Sequence, residues 1–136
     1  MEKWTRWEPE KNLAPKYYIE SITDRIEDKF NMILSDSKTK KKVLISFPHG
    51  IEAFRSTSES FILLTIDTLD KTYGTDFYGD WTFFKVEDSE YLKWISSQTY
   101  NIYDESKFPF IHFCFLGIDS MIDIITTYEP TITFLD

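Results

Sequence analysis

His49 and His112 are the only imidazoles in the chain, and imidazole is the side chain best suited to act as a general base near neutrality. A hydrolytic triad would need one of them beside a nucleophile and an orienting acid. His49 sits in Pro48-His49-Gly50, a turn sequence whose exposure accounts for it. His112 alternates with apolar residues in Phe110-Ile111-His112-Phe113, so it either points out of a sheet or is hydrogen-bonded beneath it. The lone Cys114 lies in Phe113-Cys114-Phe115-Leu116 and reads as a small buried hydrophobe with an inert thiol. Zinc takes about four N or S ligands, which two histidines and one cysteine at these separations do not supply. Carboxylates gather at Asp67/Asp70, Asp76/Asp80 and Glu87/Asp88/Glu90, but glycosidic chemistry needs a pair facing across a cleft. A charge run is usually a solvated face. With no phosphate loop, dinucleotide fingerprint or calcium loop in the sequence, the expectation is a non-enzymatic protein without metal or cofactor.

Charge says more about partners. The net charge is −8 over 136 residues, and it is unevenly placed. Residues 1–42 hold ten Lys/Arg against eight Asp/Glu, and residues 43–136 hold five against fifteen. Such an acidic body repels phosphate backbones, which argues against nucleic acid as a partner. It favours a basic protein and speeds the encounter by steering. The one basic cluster, Lys38 with Lys40, Lys41 and Lys42, falls at a hairpin tip, where lysines also discourage strand-to-strand aggregation. A charged start without an apolar stretch, no run long enough to span a bilayer, and a single cysteine lead to the expectation of a cytoplasmic, membrane-free protein.

The length and the 42% hydrophobic content suit one domain with one core. Residues 1–15 read as irregular, with Trp4 and Trp7 folded back onto the body. Strands are expected over 17–26, 29–34 and 43–47. Ser56 and Glu59 match a capping box opening a helix that carries Ile62, Ile66, Leu69 and Tyr73 and ends at Gly74. Residues 81–86 form the next strand, and Asp88 or Ser89 caps a second helix bearing Tyr91, Leu92 and Ile95. Strands over 110–116, 121–127 and 131–135 close the chain. That order predicts an α+β fold: an antiparallel or mixed sheet with two helices packed on it.

The second half also has a familiar look. Gly74-Thr75-Asp76-Phe77, Trp81-Thr82-Phe83-Phe84-Lys85-Val86 and Ser89-Glu90-Tyr91-Leu92-Lys93-Trp94 resemble a family of small uncharacterised proteins of Gram-positive bacteria. His112-Phe113, Asp119 to Ile125, Glu129-Pro130 and Phe54-Arg55 with Glu59 fit the same pattern, over most of residues 43–130. Proteins of this size and character are similar to the immunity proteins that accompany polymorphic toxins and neutralise them in the producing cell. The resemblance implies a protein partner, a basic toxin domain, met by Asp76, Asp80, Glu87, Asp88 and Glu90 along one acidic edge. The competing expectation is a structural or regulatory module that forms a homodimer through an apolar patch including Trp4, Trp7 or Trp94.

Overall fold

Alternation decides the layering. In the computed structural model, which describes residues 1–103 and 108–135, the strands are β1 (Lys3–Arg6), β2 (Tyr17–Arg25), β3 (Lys29–Asp36), β4 (Lys42–Phe47) and β5 (Ala53–Ser58), then β6 (Phe83–Glu87), β7 (Ile111–Leu116), β8 (Ser120–Thr126) and β9 (Thr131–Leu135). Helices α1 (Leu63–Tyr73) and α2 (Asp76–Gly79) separate β5 from β6, and α3 (Glu90–Gln98) separates β6 from β7. The strands form two antiparallel sheets, one ordered β1-β6-β7-β8-β5 and the other β2-β3-β4-β9.

β7 and β8 are apolar on both faces because both faces are covered. Phe83, Phe113, Phe115, Ile122 and Ile124 meet Phe30, Met32, Leu34, Val43, Ile45 and Phe47 of the second sheet in the main core. On the reverse face Phe84, Val86, Cys114, Leu116 and Met121 pack under Ile62 and Leu69 of the α1 region, and Ile125 packs under Tyr91 and Leu92 of α3. The five-stranded sheet is thus the middle layer, between the four-stranded sheet and the helices.

The fold is α+β and antiparallel throughout, with its strands shared between two sheets. Two local expectations need correction. The segment 1–15 is not irregular throughout: Lys3–Arg6 pairs with β6 as an edge strand, Trp4 opposite Val86. Ser56 is not a helix cap either, because it lies in β5 opposite Ile122. The chain makes a 3-10 turn over Glu59–Phe61, and α1 then starts after Ile62 without a side-chain cap. The apolar stripe and the C-terminal glycine hold: Gly74 has φ 92° and its N–H donates to the Asp70 carbonyl.

The two sheets come into backbone contact beside Gly117, where the Ile118 N–H donates to the Tyr17 carbonyl at 3.0 Å. A Cβ on Gly117 would stand 3.0 Å from both the Tyr17 carbonyl oxygen and Ile19 Cγ1. Backbone cannot yield as a side chain does. Gly117→Ala is therefore expected to destabilise the fold by about 1–3 kcal/mol, seen as a lower urea midpoint. An unchanged midpoint would show that the β7–β8 turn shifts freely.

Candidate functional site

Ser89, His112, Asp123 and Arg55 form a continuous polar chain between α3 and the middle sheet. β7 and β8 are adjacent, and His112 and Asp123 both project from the helix-facing side of the sheet. Asp123 lies opposite Arg55 of the edge strand β5, and Ser89 caps α3 by accepting the Leu92 N–H at 3.0 Å. The Ser89 hydroxyl oxygen is 2.7 Å from His112 Nδ1. His112 Nε2 is 2.7 Å from one Asp123 carboxylate oxygen, and Arg55 Nε donates to the other at 2.7 Å. The Arg55 guanidinium lies 4.2 Å above the Tyr91 ring centroid, so α3 covers the chain's end as well as its start.

Ser89, His112 and Asp123 are all buried. Burial pushes the Asp123 carboxyl up, but the donors and charges of His112 and Arg55 together outweigh it and hold the group below its ordinary value. An imidazole with its proton on Nε2 satisfies every member: Ser89 donates to Nδ1, and Nε2–H donates to Asp123.

The residue types are those of a hydrolytic triad, here with the serine on His112 Nδ1 and the carboxylate on Nε2. An acyl-transfer site needs donors aimed at a developing oxyanion. In the first turn of α3 the Glu90 N–H donates to the Glu2 carboxylate at 2.9 Å, and the Leu92 N–H donates to Ser89 itself. The neighbouring recess, about 540 Å³, is lined by Ser89 and His112 together with Lys85, Glu87 and Asp88. What the arrangement does is lock α3 to the sheet. His49, by contrast, is exposed and lies against the Tyr128 ring at 4.8 Å. Burial drives the Cys114 thiol well above its ordinary range.

Asp76, Asp80, Glu87, Asp88 and Glu90 are all exposed, and the edge strand β1 runs between Asp76 and Asp88. Asp76 lies by Arg6, whose guanidinium donates to the Asp76 and Phe77 carbonyls. Asp88 lies at the other end of β1, where it pairs with the Met1 ammonium at 2.6 Å and with Lys93 at 2.8 Å. These partners hold the Asp88 carboxyl down at about 2, the Lys93 hydrogen bond contributing most. Glu90 also reaches Lys93, at 3.4 Å. Among the described residues Asp76, Asp80 and Glu87 have no such ion pair within 4.0 Å.

The sequence reading missed an apolar surface at the start of α1. Phe61, Leu63 and Leu64 are 82%, 65% and 80% exposed. The expected helical stripe names only Ile62 among these four neighbours, and only Ile62 turns inward. Leu64 also walls a groove of about 340 Å³ whose floor is Trp4 and Leu69. Of the three tryptophans named for self-association, Trp4 is buried against Phe84 and Trp7 sits among Phe83, Phe113 and Phe115. Only Trp94 is exposed.

The fold class these elements define is α+β, with two stacked antiparallel sheets and a helical layer. No protein-family model, no curated protein and no solved structure matches the chain. Among the described residues no helix is long and apolar enough to cross a membrane, and no three His, Cys, Asp or Glu side chains group as metal ligands would.

Proposed function

We propose that the protein is a non-enzymatic binding protein whose helical face docks a basic protein, most concretely a toxin domain that it neutralises in the producing cell. The observation that carries this reading is the exposed run Phe61, Leu63 and Leu64 on a strongly acidic chain. Contiguous apolar surface on a folded domain marks a contact site more often than an accident of packing. Carboxylates flank it: Glu59 precedes Phe61, and Asp67 follows Leu63 by one helical turn. An apolar centre with an acidic rim suits a basic partner, the apolar part giving affinity and the rim giving orientation and speed. The Ser89–His112–Asp123–Arg55 chain accords with the same reading, since its members bond to one another and tie α3 to the sheet.

The test is capture of the tagged protein from its host at low and moderate salt, followed by charge reversal. A basic, toxin-like partner, lost as salt rises, is the expected catch. Reversing Glu59 and Asp67 together should slow association about tenfold and flatten its salt dependence, and reversing Asp76 and Asp80 tests whether the acidic surface extends past α1. Reversing Asp88 should do less, because the Met1 ammonium and Lys93 already neutralise it. Binding indifferent to salt and to all of these reversals would overturn the acidic-rim reading.

A further inference from the structure

We propose that the protein self-associates through the open edge of β9, two copies pairing antiparallel about a two-fold axis at Thr133. The two four-stranded sheets would then continue into one. This surface lies on the sheet remote from the helices, so it stands independently of any partner on the helical face.

The edges differ in how they are protected. β1 is four residues long and carries Lys3 and Arg6, and β5 carries Arg55. β2 carries Glu20, Asp24 and Arg25, and its register breaks between Ile19 and Ser21. Those are the usual devices against edge-to-edge pairing: short length, charge and irregularity. β9, Thr131-Ile132-Thr133-Phe134-Leu135, is also short at five residues, but it carries no charge and its register with β4 is unbroken. An uncharged, regular edge presents its outward N–H and C=O groups as a template for another strand.

The side chains suit a second copy in particular. Ile132 lies opposite Ile45 and Phe134 opposite Val43, so both project toward the core side of the sheet, yet Phe134 is 47% exposed. Beside Ile132 a recess of about 330 Å³ is walled by Trp7, Pro9 and Pro130. Antiparallel pairing centred on Thr133 sets Phe134 of each copy against Ile132 of the other, where that recess can receive the ring. The same pairing sets Thr131 against Leu135. Glu10 and Glu129 line the recess at the Thr131 end, Glu10 also lying beside Phe134 with Glu8 and Lys11, while Lys41 and Lys42 line the recess at the Leu135 end together with Asp36. The carboxylates of one copy therefore come near Lys41 and Lys42 of the other at both ends of the ladder. In the single chain Glu129 also reaches Lys85 and Lys42 reaches Glu20, which leaves Glu10 and Lys41 as the pair best placed to act between copies.

Sedimentation of the full chain, with cross-linking, tests this. The wild type is expected to dimerise in the micromolar range. Phe134→Asp should weaken the dimer by about tenfold or more, with an unchanged near-UV circular dichroism spectrum reporting an intact fold. Glu10→Lys and Lys41→Glu should each weaken it, and the double variant should recover. Thr133→Cys should oxidise readily to a covalent dimer, because a residue on the axis faces its own copy at about 5 Å between Cα atoms. Thr131→Cys should not, and the native Cys114 is buried and cannot compete. A wild type that stays monomeric at hundreds of micromolar, including one whose β9 edge takes up a strand from a different protein, overturns the proposal. So does a dimer indifferent to Phe134→Asp, or one in which Thr133→Cys fails to cross-link.

Discussion

Replacing Asp123 with alanine is expected to lower stability by about 3–5 kcal/mol, the largest effect of any single substitution considered for this protein. The carboxylate is 1% exposed and carries contacts from two donors, His112 Nε2 and Arg55 Nε, each at 2.7 Å. Removing it leaves the buried imidazole N–H without an acceptor and a guanidinium without its counter-charge. The loss should reach α3, since His112 in turn holds Ser89, the residue that caps that helix. Asp123→Asn keeps the shape and one acceptor but not the charge, so its cost should be about half as large. The pH dependence separates charge from shape. The folded carboxyl is held below its ordinary 3.8, so its stabilising charge is fully present above that value and is lost as pH falls through the folded value. Urea titrations should therefore show the gap between wild type and Asp123→Asn shrinking below about pH 4. A gap independent of pH would mean that the carboxylate acts by shape alone.

Most of the fold was legible because most of it obeys periodicity. Phe30, Met32 and Leu34 alternate into the core, and Ile62, Ile66, Leu69 and Tyr73 mark one face of α1. β1 and β5 escaped for a common physical reason. Both are edge strands, so only one ladder and part of one face hold them, and their sequences Lys-Trp-Thr-Arg and Ala-Phe-Arg-Ser-Thr-Ser need no apolar alternation. In β5 the hydroxyl at Ser56 then imitated a helix cap three residues before Glu59. The division into two sheets is a fact of long-range pairing, which local sequence does not encode. The polar chain left one readable trace: Asp123 stands in Met121-Ile122-Asp123-Ile124-Ile125, and a carboxylate inside an apolar strand requires donors. His112, alternating on another apolar strand, was half of that answer. Its partner Ser89 was foreseen only as a cap, because which strands lie side by side decides whether it reaches the imidazole. The acidic residues show what proximity in sequence leaves out. Glu87, Asp88 and Glu90 are consecutive enough to look like one negative patch, yet the Met1 ammonium arrives from a distant part of the sequence and cancels part of it.

Lys16→Met should cost about 2–4 kcal/mol, and it should do so through carbonyls rather than through charge pairing. Lys16 stands just before β2, and its ammonium donates to the carbonyls of Tyr78 at 2.6 Å, Trp81 at 2.8 Å and Leu116 at 2.6 Å. One side chain thus ties the four-stranded sheet to the α2–β6 connection and to the end of β7. Methionine matches the length but donates nothing, so three carbonyls lose their partner at once. Burial draws the ammonium from 10.5 down to about 8, against the raising influence of Cys114, Glu59 and Asp80. For a base whose folded value lies below its unfolded value, the native state binds fewer protons between the two. Its stability therefore rises with pH across that interval. The neutral amine still has two N–H groups to offer, so part of the tie survives deprotonation. Urea midpoints measured at about pH 7 and about pH 10 should accordingly show the wild type gaining on Lys16→Met at the higher pH, with other titrating groups cancelling between the two proteins. A gap that closes as pH rises would mean that the charge on the ammonium, and not its place among the carbonyls, is what joins the sheets.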